Sequence, residues 1–204
     1  MKIIISPSKT KKIAKLEGIE KYKSSLFPNI TKKIVNRLYE MTEKELEKKL
    51  KIKSEQAKKL LEFYKNFDNE NYGHALATYN GIAYKSIGID DFDKDDLEFV
   101  ENKLVILSAL YGLLTPFSAL KQYRLDMTNS IFSDTTMYEI WRKEINKFFE
   151  NEECIVNLAS KEYSKIIISK NIYNFEFYDK KDEKLKQIST SSKKMRGYTV
   201  NYIV

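Results

Sequence analysis

The chain is poor in the residues that staple, kink or ligate. It has one cysteine in 204 residues, Cys154, so no disulfide can form within it, which fits a reducing compartment. It has one histidine, His74, and one Cys with one His cannot build a zinc site of the usual nitrogen and sulfur kind. Six glycines and three prolines exclude collagen-like and low-complexity chains. No segment approaches the roughly 20 uncharged apolar residues of a membrane-spanning helix. The apolar run at the start, Ile3-Ile4-Ile5, is too short for a signal peptide and ends at Pro7. A soluble cytoplasmic protein with no metal, no cofactor and no membrane partner is the expectation.

Charge and aromatic side chains are plentiful. Lys and Arg number 36 against 29 Asp and Glu, giving a net charge of +7, and hydrophobic residues make up 42%. That apolar fraction supports a packed core, and the positive excess points to an anionic partner. The excess is segregated. Residues 1–65 hold 18 basic and 8 acidic side chains, net +10; residues 66–135 are net −6; residues 136–204 are net +3. The lysines at 48, 49, 58 and 59 fall in a helical pattern, where a solvated face explains them as well as a partner does. Most of the 14 Tyr and 11 Phe have core-like spacing, so core packing accounts for them better than base stacking.

Periodicity predicts strands at 2–6, 75–79, 103–108, 154–158, 172–179, near 184–190 and at 198–204, with a turn at Asp179-Lys180-Lys181-Asp182. It predicts helices over 30–41, from Thr42-Glu43-Lys44-Glu45 (a capping box), from Ser54, from about Asp90 to Asn102, from a cap at Asp134-Thr135-Thr136 through Phe149, and briefly at 160–166. Strands and helices alternate along the chain, which argues for a single mixed α/β domain with a central mixed sheet and a helical insertion near 30–66. Cys154, in an apolar run, reads as a small core residue.

Four segments place small polar and basic residues directly after a predicted strand. Ser6-Pro7-Ser8-Lys9-Thr10 offers hydroxyls, free amides and a lysine to an oxyanion, although the glycines of a phosphate-binding P-loop are absent. Leu107 to Pro116 turns at Leu110-Tyr111-Gly112, and Tyr123-Arg124-Leu125-Asp126-Met127 follows. Arg124 presents a planar fork to phosphate, with Asp126 either its ion-pair partner or a separate acid. Ser160 is positioned to cap a short helix, with Lys161 beside the free amides. A catalytic Ser160–Lys161 pair is disfavoured, because adjacent residues on one turn rarely align. Lys193-Lys194-Met195-Arg196-Gly197 reads as a phosphate-contacting loop or a charged turn.

Taken together and in order, these segments resemble the YaaA family of bacterial peroxide-stress proteins. The matching stretches are Ile5–Thr10, Tyr79-Asn80-Gly81-Ile82-Ala83-Tyr84, Leu107–Pro116, Tyr123–Met127, Asn157–Tyr163 and Lys193–Gly197, which span nearly the whole chain. The resemblance implies an unusual α/β fold with a positively charged cleft and a helix-hairpin-helix element. It also implies binding of duplex and branched DNA, and protection from peroxide by lowering free iron. Leu110-Tyr111-Gly112 is the candidate for the hairpin. Ser6, Lys9, Thr10, Arg124, Ser160, Lys161, Lys193, Lys194 and Arg196 are the candidate contacts to DNA or to a small anion.

Two departures stand out. Ser8 and Ala109 occupy positions where the family often has Ala and Gly, and family members usually continue beyond the last basic segment, whereas this chain ends at Val204. The competing expectation is an enzyme acting on a nucleotide or phosphorylated small molecule in the same basic pocket, with Asp126 or Glu162 as acid or base. An iron site would have to use carboxylates such as Asp90, Asp91 and Asp93, which a helix start explains better.

Overall fold

In a computed structural model, residues 1–181 and 184–204 are described. Three buried isoleucines make β1 (Lys2–Ile5) the centre of a five-stranded sheet. On one side β1 pairs in parallel with β3 (Leu104–Ser108), whose five residues are all buried. On the other it pairs in parallel with β6 (Ile155–Asn157), which pairs in parallel with β7 (Ile172–Asn174) at the edge. β4 (Gly112–Leu114) closes the other edge antiparallel to β3, so the order is β4-β3-β1-β6-β7. Continuous apolar runs such as Ile3-Ile4-Ile5 and Leu104-Val105-Ile106-Leu107 are what strands covered on both faces require. Two short antiparallel pairs complete the strands: β2 (Tyr72–His74) with β5 (Ala119–Lys121), and β8 (Asp179–Lys181) with β9 (Lys184–Lys186).

The helical insertion comprises α1 (Pro28–Tyr39), α2 (Glu43–Leu50) and α3 (Ser54–Lys65). The capping box at Thr42 is formed: Thr42 Oγ1 accepts the Glu45 amide at 3.3 Å, and Glu45 Oε2 accepts the Thr42 amide at 2.8 Å. Asp93 caps α6 (Lys94–Lys103), accepting the amides of Asp95 and Asp96, so the helix expected from about Asp90 starts at Lys94, and Asp90 and Asp91 lie in a short 3-10 turn before it. Thr136 caps α7 (Met137–Phe149) with the same reciprocal bonds to Glu139. Ser54 is the first residue of α3 rather than its cap, which is Lys53.

Several predicted elements differ. Residues 75–79 were expected as a strand; the strand is Tyr72–His74, and Ala75–Thr78 is a single helical turn, α4. Ala75, Leu76 and Thr78 are all buried, and a short run buried on every side carries no period to distinguish the two. The strand expected over 172–179 is split into β7 and the first residue of β8, and the expected turn extends to Asp182, outside the described residues. The tail is helical: α9 (Ser189–Ile203) replaces both the basic loop and the strand expected at 198–204. Its β-branched and aromatic residues favour a strand locally. Docking decides otherwise, because Gly197 lets α9 approach α5 (Ile82–Lys85) closely: a Cβ there would lie 2.1 Å from the Ala83 carbonyl oxygen.

Leu110-Tyr111-Gly112 is not a hairpin between helices. It is the tight turn between β3 and β4, with Ser108 opposite Gly112, and Leu110 and Tyr111 are buried. Gly112 sits at φ +71°, where a side chain would be strained and a Cβ would meet the Trp141 ring at 2.7 Å. His74 is likewise structural: its Nδ1 accepts the Leu16 amide at 2.9 Å and its ring stacks on Tyr22. Cys154 is partly buried and packs against the core.

Candidate functional site

From β1 the chain moves to β3 on one side, and later returns to β6 on the other. The loops leaving β1 and β6 therefore part at the carboxyl edge of the sheet, the topological switch point where open α/β sheets place ligands. Two of the expected segments meet there. Ser6 Oγ accepts the Ser160 amide at 2.8 Å and lies 3.1 Å from Ser160 Oγ. Ser160 does stand at the N-cap of α8 (Lys161–Ser164), but its hydroxyl turns to Ser6 rather than to a helix amide. Tyr84 Oη donates to the Ser6 carbonyl at 3.0 Å. Gly81 lies against Ser8, where a Cβ would come within 2.2 Å of the Ser8 hydroxyl.

A third segment joins them through one carboxylate. Asp126 Oδ2 takes Lys9 Nζ at 3.1 Å and Arg124 Nη2 at 3.2 Å. Asp126 is thus the ion-pair partner of both cations, and Arg124 is not a solitary fork. Around this pair lies a small concavity of about 40 Å³, lined among others by Ser8, Lys9, Lys11, Tyr123, Arg124 and Glu162.

Sequence reasoning overlooked Lys11. Its Nζ donates to the carbonyls of Ser8 and Tyr123, each at 3.0 Å, and lies 4.1 Å from the centre of the Tyr123 ring. Burial, reinforced by Arg124 and opposed by Asp126, lowers its pKa to about 7. Glu162 moves the other way: burial first, then the Asp126 charge, raises it above the usual carboxylate range. Its Oε1 is buried without a hydrogen-bond partner. Behind Lys11 stands a tyrosine wall, in which Tyr123 Oη lies 3.0 Å from Tyr79 Oη and 2.9 Å from Ser108 Oγ. Burial raises Tyr123 to about 12, so it stays a neutral hydroxyl at ordinary pH. The one sequence signal for Lys11 was its place two residues after Lys9, which an extended strand would set on the same face.

The remaining expected contacts are dispersed. Lys161 projects at the rim, 95% exposed, with Glu176 at 3.7 Å. Thr10 is exposed, its amide donating to Ser8 Oγ. Lys193 and Lys194 are exposed on α9, while Arg196 is half-buried with its Nε unpartnered and its pKa lowered by burial. Among the described residues, no hydrogen bond or ion pair joins these three to the sheet-edge group.

The lowered Lys11 pKa has a consequence for stability. Between pH 7 and about 10 the unfolded chain binds a proton that folded Lys11 does not, so the folded state gains stability as pH rises through that window. Lys11→Met should remove this gain. Urea midpoints at pH 7 and pH 9 should rise for the natural chain and stay closer together for the variant; equal rises in both would show that Lys11 is not the group responsible.

Among the described residues, no group of three His, Cys, Asp or Glu side chains could hold a metal ion. No helix among them is long and apolar enough to cross a membrane. A family model described as peroxide stress protein YaaA matches residues 1–204. The chain is 41% identical to a UPF0246 protein of Finegoldia magna, with all of this chain and 84% of that protein covered. It is 37% identical to a UPF0246 protein of Fusobacterium nucleatum, where the shares are 100% and 85%. A UPF0246 protein of Rickettsia felis is 32% identical, with shares of 100% and 86%.

Proposed function

The chain belongs to the peroxide stress protein YaaA family, and on that premise we propose that it binds DNA, duplex or branched, through a basic surface that includes the sheet-edge site. Binding there limits iron-driven oxidative damage at the DNA itself.

The observation that carries this reading is the way segment 123–130 ties the lysine-rich helices to the sheet edge. Tyr64 Oη on α3 donates to the Arg124 carbonyl at 3.0 Å. Asn129 Nδ2 donates to the Lys49 carbonyl at 3.0 Å, and Lys49 Nζ donates to the Ser130 carbonyl at 2.7 Å. The most basic third of the sequence and the Lys9–Arg124 group are therefore one packed unit.

The helix-hairpin-helix role moves to α2 and α3. Lys51, at φ 54°, makes the left-handed turn between them, and Lys48, Lys51 and Lys53 stand exposed around it. Backbone amides at the start of α3 and these ammonium groups are suited to a phosphodiester backbone. Titration of the chain with duplex and with junction DNA at two salt concentrations tests the reading. Affinity should fall steeply with salt, as counterion release demands. Absence of binding at low salt would sink it.

A second reading, catalysis on a phosphorylated small molecule, is favoured by one observation. The same pocket is lined by an amine whose pKa burial lowers to about 7 and by a carboxyl whose pKa burial raises, and such opposed shifts mark acid–base pairs.

A further inference from the structure

Away from the small concavity at the sheet edge, a cleft of about 750 Å³ opens between α1 and the continuous run from Tyr64 to Asn69, with Tyr111, Ala119 and Lys121 also in its lining. Thr31, Val35 and Tyr39 follow one another at four-residue spacing, so they share one side of α1. Thr31 and Val35 are buried, whereas Tyr39 is 50% exposed. Among the described residues, the Tyr39 ring has no aromatic partner and its hydroxyl makes no hydrogen bond. Tyr111 is buried, and its hydroxyl has no hydrogen-bond partner. The Lys121 amide is near enough to act on its oxygen, but an amide N–H donates, so the phenol proton still lacks an acceptor.

The lining is positively charged. Lys32 and Lys65 are exposed and, among the described residues, in no ion pair. Asp68 is the one acid among the described lining residues, and Lys121 stands beside it, its Nζ donating to the Phe67 and Asp68 carbonyls. The side-chain amides of Asn36 and Asn69, each a donor and an acceptor, have no protein partner among the described residues. An unpartnered ring, unpaired amides, unpaired ammonium groups and a phenol without an acceptor match the parts of a nucleotide: a flat π face, a hydrogen-bonding edge and a phosphate.

We propose that this cleft binds one nucleotide, with its base stacked on Tyr39, the base edge read by Asn36 and Asn69, and its phosphate held by Lys32 and Lys65. The volume lies within the roughly 300–1,000 Å³ of small-molecule sites. Every base carries an edge acceptor for the Tyr111 proton, so the cleft selects bases over bare phosphate rather than one base over another. The inference goes beyond duplex binding, because bases inside a duplex stack on each other and cannot enter. The same chemistry has two sources: a free nucleotide, or an unpaired one in a DNA strand.

Two arms on the full chain separate them. Calorimetry compares dAMP with inorganic phosphate, and fluorescence anisotropy compares a duplex carrying one unpaired dA with the same duplex fully paired. The expected result is at least a tenfold preference for dAMP over phosphate, or for the bulged over the paired duplex. Tyr39→Ala should weaken the preferred ligand at least fivefold, while paired-duplex affinity changes less than twofold and circular dichroism stays unchanged. Tyr111→Phe should also weaken it, yet leave the urea midpoint unchanged or higher, because the variant removes an unpartnered buried hydroxyl. A merely structural tyrosine would not separate those two readouts.

A preference in the first arm alone identifies a free nucleotide, in the second alone an unpaired base in DNA, and either upholds the proposal. No preference in either arm overturns it, as does a preference that Tyr39→Ala leaves intact. Failure of the DNA-binding reading appears separately, as absence of binding to the paired duplex, and the dAMP arm stands whether or not that duplex binds.

Discussion

Replacing Lys9, Arg124 and Lys161 together by alanine is expected to weaken DNA binding about 100-fold at low salt, and to flatten its salt dependence by about 0.9 per lost phosphate contact. Lys9 and Arg124 project from loops, and Lys161 from the first position of α8, near the carboxyl edge of the sheet where Ser6 and Ser160 lock the β1 and β6 loops together. Lys9 and Arg124 now share Asp126, so a phosphate competes with a carboxylate for them. That predicts a second, opposite effect: Asp126→Asn should tighten binding, because it frees two cations and removes one anion. Alanine at Lys193 and Lys194, which extend from α9 and do not join the sheet-edge group, should change affinity less than threefold. Fluorescence anisotropy with a labelled duplex distinguishes these outcomes. Equal losses for the two sets would mean that net charge alone is read, and that the sheet-edge arrangement contributes nothing.

Trp141→Ala is expected to bring the chain close to unfolding. Trp141 is fully buried, and its Nε1 donates to the Ala109 carbonyl at 2.8 Å. Its ring fills the space that Gly112 leaves open and lies 5.7 Å from the Phe27 ring, centre to centre. Truncation of a buried Trp costs about 3–5 kcal/mol, and the orphaned carbonyl adds about 1–3 kcal/mol. A domain stable by about 5–15 kcal/mol retains little after that. The indole fixes the β3–β4 turn from α7, so the loss should spread into the central sheet. Urea unfolding followed by circular dichroism measures it, since this is the chain's sole tryptophan and its fluorescence disappears with it. Trp141→Phe should lose less, because most of the ring volume returns without the hydrogen bond. A midpoint unchanged by the alanine variant would contradict the packing described.

How much was legible beforehand depended on whether the signal was local. Ile3-Ile4-Ile5 and Leu104–Leu107 announce buried strands because runs of three and four apolar, mostly β-branched or aliphatic residues end at once in polar or turn residues, too short for a buried helix. Thr42 with Glu45 announces a helix start because both partners of the reciprocal bond lie within one turn, and the polar run Asp134-Thr135-Thr136 announces another, where the structure makes Thr136 the cap. Ala75–Tyr79 and Tyr198–Val204 differ from their strand expectation for the complementary reason. The first is buried on all sides, and the second is held helical by the approach of α9 to α5 at Gly197, a partner more than a hundred residues away in sequence. The hairpin role was assigned to Leu110–Gly112 from its turn residues, but two turn residues look alike whether strands or helices flank them.

The sequence by itself determined the α/β class, the family, the segregated positive charge, and the loops at Ser6–Thr10, Arg124 and Ser160–Lys161. These are properties of composition and of motifs a few residues long. The tertiary structure decided what each charge does. Lys9 and Lys11 are chemically identical and two positions apart. One is solvated and paired with Asp126; the other is desolvated between Tyr79, Tyr123 and two carbonyls, and its proton is loosely held. Protonation follows the dielectric and the charges within a few ångströms. Here the rings and charges come from Tyr79, Tyr123, Arg124 and Asp126, about 70 to 115 positions away, which only the folded chain brings to Lys11.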